Sequence, residues 1–296
     1  MKTCPLSRRE QASYARCVVC ERRCLIREKE RGICGARVNI KGQLYSLNYG
    51  NLSAIESRPI EIKPFYHFWP GTSAITISSL GCNFHCPWCQ NWNLSMAMPS
   101  DTAREIISVE RVVNLALSRG DCGTCVSFNE PAMMFEYMIE LFPFAKKHNL
   151  YNTIVTNGYF TLDALDMLID VLDGARIDIK GGTITYQKWL NANDEIVWRN
   201  ARYLKEKGVH VEMIYLVVTG VNDEDYVEII EKHRRYLGVD VPLHINRYFP
   251  AYRHNAPATP LSLIDKIYSF ARESGINYVY VGNVPADLRR NTYCPS

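Results

Sequence analysis

The stretch AITISSLGCNFHCPWC, residues 74–89, decides the reading of this chain. Its first part, residues 74–79, has the β-branched, apolar composition of a strand. Soon after stand Cys82, Cys86 and Cys89, with three and then two residues between them. Iron–sulfur irons are soft centres that favour thiolate, and a four-iron cluster normally takes four cysteines. Three closely spaced ligands therefore suit a cluster with one iron left open to bind and activate a ligand. Two plainer readings compete: a zinc loop, with His85 as the nearby fourth ligand, or buried free cysteines. The position directly after a strand favours the cluster.

Outward from this loop, short β-branched runs alternate with amphipathic helical patterns. The spacing predicts strands over 74–79, 125–129, 152–156, 175–179, 209–218, 243–247 and 278–281. Between them it predicts helices over 109–118, 131–147, 162–172, 196–207, 223–236 and 261–274. Ser108 and Asn222 are expected as N-caps, and Gly208 and Gly275 as C-terminal stops. Such alternation implies parallel βα units. Six units and a seventh strand are too few for an eight-stranded barrel and fit a partial (β/α)6 TIM-like barrel over residues 61–296. In such barrels functional groups gather at the C-terminal ends of the strands, which is where the cysteine loop falls. Residues 1–60 read as a separate N-terminal cysteine-rich metal-binding module, joined through a Pro- and aromatic-rich link over 58–70.

The composition, 47% hydrophobic and 22% charged over 296 residues, is that of a soluble globular protein with a sizeable core. No leading apolar stretch and no run of membrane-spanning length stands in the sequence, so a cytoplasmic protein without membrane contact is expected. Eleven cysteines in such a chain argue for metal ligation rather than disulfides. Cys17, Cys20, Cys24 and Cys34 offer four thiolates within 18 residues, a closed arrangement suited to zinc or to a second iron–sulfur cluster. A metal-free head is the remaining alternative. Cys122 and Cys125 read as small core residues, and Cys294 as half of a knuckle. The net charge of +3 hides a head that carries +6 over residues 1–40. That head suits RNA or an acidic partner, or simply a solvated face, which is the preferred reading.

At the strand ends, Asp178 and Lys180 lie two apart and so face the same way. An anion and a cation so placed suit a zwitterionic ligand. Thr156-Asn157-Gly158 sets a polar pair before a tight turn. Arg247 and Tyr248, with Asn283 beyond them, are weaker candidates to face a substrate.

The run Cys82–Cys89, with Trp88 before the last cysteine, resembles the signature of the radical S-adenosylmethionine (SAM) enzymes. The segments RGICGARVN, EIKPFYHFWPG, GCNFHCPWCQNW, FNEP, VTNGY and YVYVGNVP…NTYCP together resemble one branch, the AmmeMemoRadiSam-system enzymes. These are relatives of the pyruvate formate-lyase activating enzymes. The resemblance implies that Cys82, Cys86 and Cys89 hold a 4Fe-4S cluster whose open iron chelates the amino and carboxylate groups of S-adenosyl-L-methionine. It places Trp88 beside the adenine and Asn129 and Glu130 near the ammonium, a group that needs acceptors when buried. Thr156, Asn157, Asp178 and Lys180 complete the cofactor site. Asn129-Glu130-Pro131 stands where relatives carry Gly-Gly-Glu. Val155 replaces an acidic residue that relatives use for an extra metal ion, and Phe249 replaces a histidine.

The implied reaction is one-electron reduction of the sulfonium, giving methionine and a 5′-deoxyadenosyl radical that takes hydrogen from an unidentified substrate. No side chain need act as acid or base in that first step. The implied partners are a one-electron donor such as flavodoxin or ferredoxin, together with AMMECR-like and Memo-like proteins. A small-molecule substrate is preferred. A glycyl-radical-enzyme activase acting on a protein, and an RNA-modifying enzyme, are the alternatives. A non-catalytic scaffold would leave Glu130, Asp178 and Lys180 gathered at one barrel face without purpose.

Overall fold

The computed structural model describes residues 1–10, 13–100 and 105–293; Cys294 lies outside the described residues. Among the described residues the head contains six short strands: β1 (Lys2–Thr3), β2 (Ser7–Arg9), β3 (Tyr14–Cys17), β4 (Leu25–Arg27), β5 (Arg37–Ile40) and β6 (Gln43–Ser46). They form two antiparallel sheets, β1–β6–β5 and β2–β3–β4. Next, β7 (Ala54–Pro59) pairs antiparallel with β8 (Ser73–Ser78). The large sheet therefore begins at Ala54, on the head side of the boundary expected at residue 60.

From β8 onward the strands are parallel and neighbour one another in chain order. They are β9 (Gly123–Val126), β10 (Tyr151–Thr156), β11 (Gly174–Ile179), β12 (His210–Val217), β13 (Leu243–Arg247) and β14 (Val279–Gly282). Sequential parallel order with intervening helices is the topology of a partial barrel, as the alternation predicts. Among the described residues the helices are α1 (Trp92–Ser95), α2 (Val109–Arg119), α3 (Phe135–Lys147), α4 (Leu162–Asp166), α5 (Thr183–Thr185), α6 (Asp194–Glu206), α7 (Tyr226–Leu237) and α8 (Leu261–Glu273), and the five long ones, α2, α3, α6, α7 and α8, pack their apolar stripes on the sheet. The stripe on α2 is Val109, Val112, Val113 and Ala116, the spacing of one helical face. Ser108 caps α2 by accepting from the Arg111 backbone N–H at 3.3 Å, and Gly120 ends it at φ +72°.

Several expected elements are modified. The helix expected over 162–172 stops at Asp166, and the chain goes on in turns whose bonds span three residues, Leu168 to Leu165 and Val171 to Leu168. Asn222 does not cap the next helix, which runs over Tyr226–Leu237. Its carboxamide instead accepts from the Val218 N–H at 2.6 Å and donates to the Lys180 and Leu216 carbonyls, tying two strand ends together. Cys125 is buried as expected for a core residue, whereas Cys122 is exposed, just ahead of the strand. No helix among the described residues is long and apolar enough to cross a membrane.

Residues 60–72 close the N-terminal end of the barrel. Phe65 and Phe68 are buried against Tyr151, at the start of β10, and His210, at the start of β12. The fully buried Glu212 carboxylate accepts from the backbone N–H groups of Tyr66 and His67 at 3.1 and 2.8 Å. The imidazoles of His210 and His244 lie 2.9 and 2.7 Å from the same carboxylate. Burial alone would raise the Glu212 pKa, but the two histidines and these amides push it down to about 2.

Arg37 of β5 reaches into the barrel side and meets Glu136 of α3 in a two-pronged ion pair at 2.6 and 2.9 Å. Its guanidinium also donates to the Ala132 carbonyl at 2.9 Å, and both side chains are buried. A buried pair stripped of one partner leaves an uncompensated charge, a loss of about 3–5 kcal/mol. Denaturant unfolding of Arg37→Ala and Glu136→Ala is expected to show losses of that order. The double variant Arg37→Met/Glu136→Leu should recover most of the stability, and equal losses in all three would sink this account.

Candidate active site

The loop after β8 leaves the sheet at Gly81, whose φ is +88°. A Cβ there would sit 2.3 Å from the Cys34 carbonyl oxygen, so only glycine allows head and loop to approach this closely. Three carboxamides fix the loop. Asn129 accepts from the Ser79 N–H at 3.1 Å and donates to the Gly81 carbonyl at 3.0 Å. Asn48, from the head, donates to the Leu80 carbonyl at 2.8 Å. Asn157, at the end of β10, donates to Asn83 Oδ1 at 2.7 Å and lies 3.9 Å from Cys82 Sγ.

Cys82, Cys86 and Cys89 line one cavity of about 320 Å3 at the C-terminal ends of the strands. Trp88, Asn129, Glu130, Thr156, Asn157, Asp178 and Lys180 line the same cavity, so every cofactor-site residue expected from the sequence is gathered there. Burial raises the Cys82 thiol well above its ordinary pKa, and pushes Cys86 up to about 12. Buried thiols of this kind lose their protons to a bound metal rather than to water. Among the described residues no three His, Cys, Asp or Glu side chains converge on the spacing of a single metal ion. A four-iron cluster spreads its thiolates more widely than one ion does, and three thiols on one cavity wall fit that wider demand.

Glu130 is buried and accepts from the Thr156 hydroxyl at 2.6 Å and the Asn157 N–H at 2.8 Å. It also accepts from the Ala132 N–H at 3.4 Å, capping the turn that starts at Pro131. Burial pushes its pKa up to about 7 against these donors and against Lys180. Asp178 lies between Arg176 at 2.5 Å and Lys180 at 3.0 Å, all three on one face at the C-terminal end of β11. Burial opposes its charge, yet those two cations hold Asp178 below the usual carboxylate range. Lys180 is raised despite burial, because Asp178 holds its proton. Trp88 is buried and edge-on to Trp189, with ring centroids 6.0 Å apart.

The weaker substrate candidates lie elsewhere. Tyr248 is fully buried and donates to the His254 carbonyl at 2.5 Å, a core role. Arg247 donates to the Thr259 carbonyl at 2.7 Å, and Asn283 to the Arg247 carbonyl at 3.0 Å. None of the three lines the cavity. Arg176 and Lys63 do, and sequence reasoning missed both. Arg176 carries a legible signal, since it continues the alternate-residue face of Asp178 and Lys180. Lys63 carries none, because it comes from the link.

In the head, Cys17, Cys20 and Cys34 each lie close enough to other cysteines of the group, Cys24 among them, for those neighbours to raise their thiols. Burial raises Cys17 and Cys20 and pushes Cys34 up to about 11, while Arg37 favours the thiolate at Cys17 and Cys34. Asn83 stands between the two cysteine groups. Its Nδ2 makes no full hydrogen bond but lies close enough to Cys20 to favour that thiolate.

A family model described as the Radical SAM superfamily matches residues 76–233, just over half of the chain, and this protein belongs to that superfamily. It is therefore an enzyme of a family that works with a 4Fe-4S cluster and SAM. It is 37% identical to an uncharacterized protein of Methanocaldococcus jannaschii, over 95% of this chain and 85% of that protein. It is 27% identical to the pyruvate formate-lyase 1-activating enzyme of Escherichia coli K12 over 53% of this chain, spanning 65% of that enzyme's length. A solved radical SAM methyltransferase from Sphaerobacter thermophilus superposes with a TM-score of 0.54 at 17% identity, covering 72% of this chain and 67% of that one. That last likeness bears on the fold alone.

Glu130 makes the pH dependence testable. A carboxyl raised from its ordinary 4.5 to about 7 binds more protons folded than unfolded between those values. Stability then falls as pH rises across that window, by on the order of 3 kcal/mol. Urea unfolding of the metal-free protein from pH 4.5 to 8 should show this slope in the wild type. Glu130→Gln should lack it, and parallel profiles for the two proteins would rule out the raised carboxyl.

Proposed function

We propose that this chain cleaves S-adenosyl-L-methionine reductively and uses the resulting radical to take hydrogen from a small polar molecule. The observation carrying this reading is that three thiols, a buried carboxyl and an ion pair line a single cavity at the catalytic end of the barrel. Cys82, Cys86 and Cys89 would hold the 4Fe-4S cluster, which would supply the electron for cleavage of SAM. The protein's own part is positioning and exclusion of water. Asp178 and Lys180 stay charged and can meet the amino-acid end of a zwitterion. Glu130 serves as acceptor for the ammonium, because the Asn129 carboxamide is committed to the loop. Trp88 offers an apolar wall to the adenine.

The head segment, the link and the tail motif support placement in the AmmeMemoRadiSam-system family. AMMECR-like and Memo-like proteins are then partners, and a flavodoxin or ferredoxin the electron donor. A second reading, activation of a glycyl-radical protein, is favoured by the similarity to the E. coli activating enzyme. In the head, Cys17, Cys20, Cys24 and Cys34 would hold a second iron–sulfur cluster by the same spacing argument; zinc, the other ion their thiolates suit, would require them to draw closer than they stand.

Anaerobic reconstitution with iron and sulfide, followed by dithionite and SAM, tests the central reading. The wild type is expected to form 5′-deoxyadenosine, and its reduced cluster to change its electron paramagnetic resonance spectrum when SAM is added. The Cys82→Ala/Cys86→Ala/Cys89→Ala protein should do neither. A reduced cluster with no spectral response to SAM would end this proposal. Metal analysis of a Cys17→Ser/Cys20→Ser variant separates the head's chemistries: zinc alone is lost in one case, about four irons in the other.

A further inference from the structure

The cavity that holds the three thiols extends downward between the strands to residues of the link that closes the barrel floor. Lys63 lies in that link and is only 6% exposed. Its ammonium sits 3.8 Å above the Phe128 ring. Among the described residues it makes no hydrogen bond and no ion pair, and it lines the cavity. A buried ammonium over an aromatic ring, with the buried Cys125 thiol as its strongest ionisable neighbour and no acceptor within hydrogen-bond reach, is costly, since its donors go unmet. Burial correspondingly lowers its pKa.

A second cation shares this end. Arg176 spends one terminal nitrogen on Asp178, while its buried Nε has no partner. It lies four residues, ~13 Å of extended strand, before Lys180, which places it deeper in the barrel. Asp178 is shared between Arg176 and Lys180, and among the described residues no carboxylate pairs with Lys63, on which Glu56 acts only through longer-range attraction. Beside these cations stand Phe128, under Lys63, and Val155, level with Arg176 on the next strand, and Leu216 continues the apolar wall toward Lys180. Unmet cationic donors in a half-apolar pocket are complementary to one kind of ligand: an organic anion.

We propose that the deep end of the cavity binds the substrate through a carboxylate or phosphate group held by Lys63 and Arg176. The apolar wall then packs the part of the molecule from which hydrogen is taken. This rests on the radical reading above and names its substrate class. It also makes Lys63 a binding residue contributed by the link rather than by a barrel strand.

The test is isothermal titration of the full-length, anaerobically reconstituted protein with inorganic phosphate and, separately, with malonate. At least one of the two should bind the wild type, and which one binds distinguishes the phosphate from the carboxylate class. Lys63→Met should weaken that binding at least tenfold, and Lys63→Arg should restore most of it. Circular dichroism checks that each variant folds. Should Lys63→Met misfold, reductive methylation of the wild type read by mass spectrometry replaces it, and the bound anion should protect Lys63 at least tenfold. Failure of both anions to bind the wild type, equal binding by Lys63→Met, or absence of protection overturns the assignment. The spectral response of the reduced wild type to SAM is recorded on the same sample. Loss of that response with anion binding intact would fail the radical reading alone, and the reverse would fail this assignment alone.

Discussion

The arrangement of this protein depends on keeping residues 79–83 still. Cysteine ligands are useful to a cluster only if the loop that carries them cannot drift, and here backbone pairing ends at β8. Side-chain amides take over from the ladder: Asn48 from the head, Asn129 after β9 and Asn157 after β10 each bond within this segment. A hydrogen bond contributes about 1 kcal/mol, but a buried group deprived of its partner costs about 1–3 kcal/mol. The network therefore punishes any alternative loop position more than it rewards the right one. Glu130 extends the same network by holding Thr156 and the backbone of Asn157.

The head contributes to that rigidity from the opposite side. Arg22 donates to the Asn83 carbonyl at 2.9 Å and to the Leu190 carbonyl at 2.6 Å, bridging the cysteine loop and the turn after α5 (Thr183–Thr185). Its guanidinium also stacks over Phe84 at 5.0 Å. With the Arg37–Glu136 pair, two head arginines thus hold the cysteine loop and helix α3. The positive charge of the head, which from sequence reads as a solvated face, is at these two positions a fastening.

What was legible in the sequence, and what was not, divides along a physical line. The strands are buried on both sides and the helices on one, so periodicity exposed the βα order, and Ser108 disclosed its cap. Strand ends of such barrels gather on one face, so the convergence of Glu130, Asp178 and Lys180 on one cavity was legible from chain position, while the role of Glu130 came from the resemblance. Arg247 and Tyr248 misled for the same reason: their strand end exists, but Tyr248 folds back on His254 and Arg247 on Thr259. Asn222 misled differently, since a residue able to cap a helix is equally able to bridge strands. Lys63 was illegible because a link has no period from which to read a direction. Only the packing of Phe65 and Phe68 turns it inward.

That link has a mechanical consequence. Tyr66 and His67, held by the Glu212 carboxylate, are three and four residues from the amine in the cavity. The floor of the barrel and the wall of the pocket are therefore one short lever, latched at one end by a charge that persists down to about pH 2. In most barrels the face away from the chemistry serves stability alone. Here no more than four residues of backbone separate the carboxylate latch from the amine that lines the cavity, so the closing link belongs to both faces of the barrel.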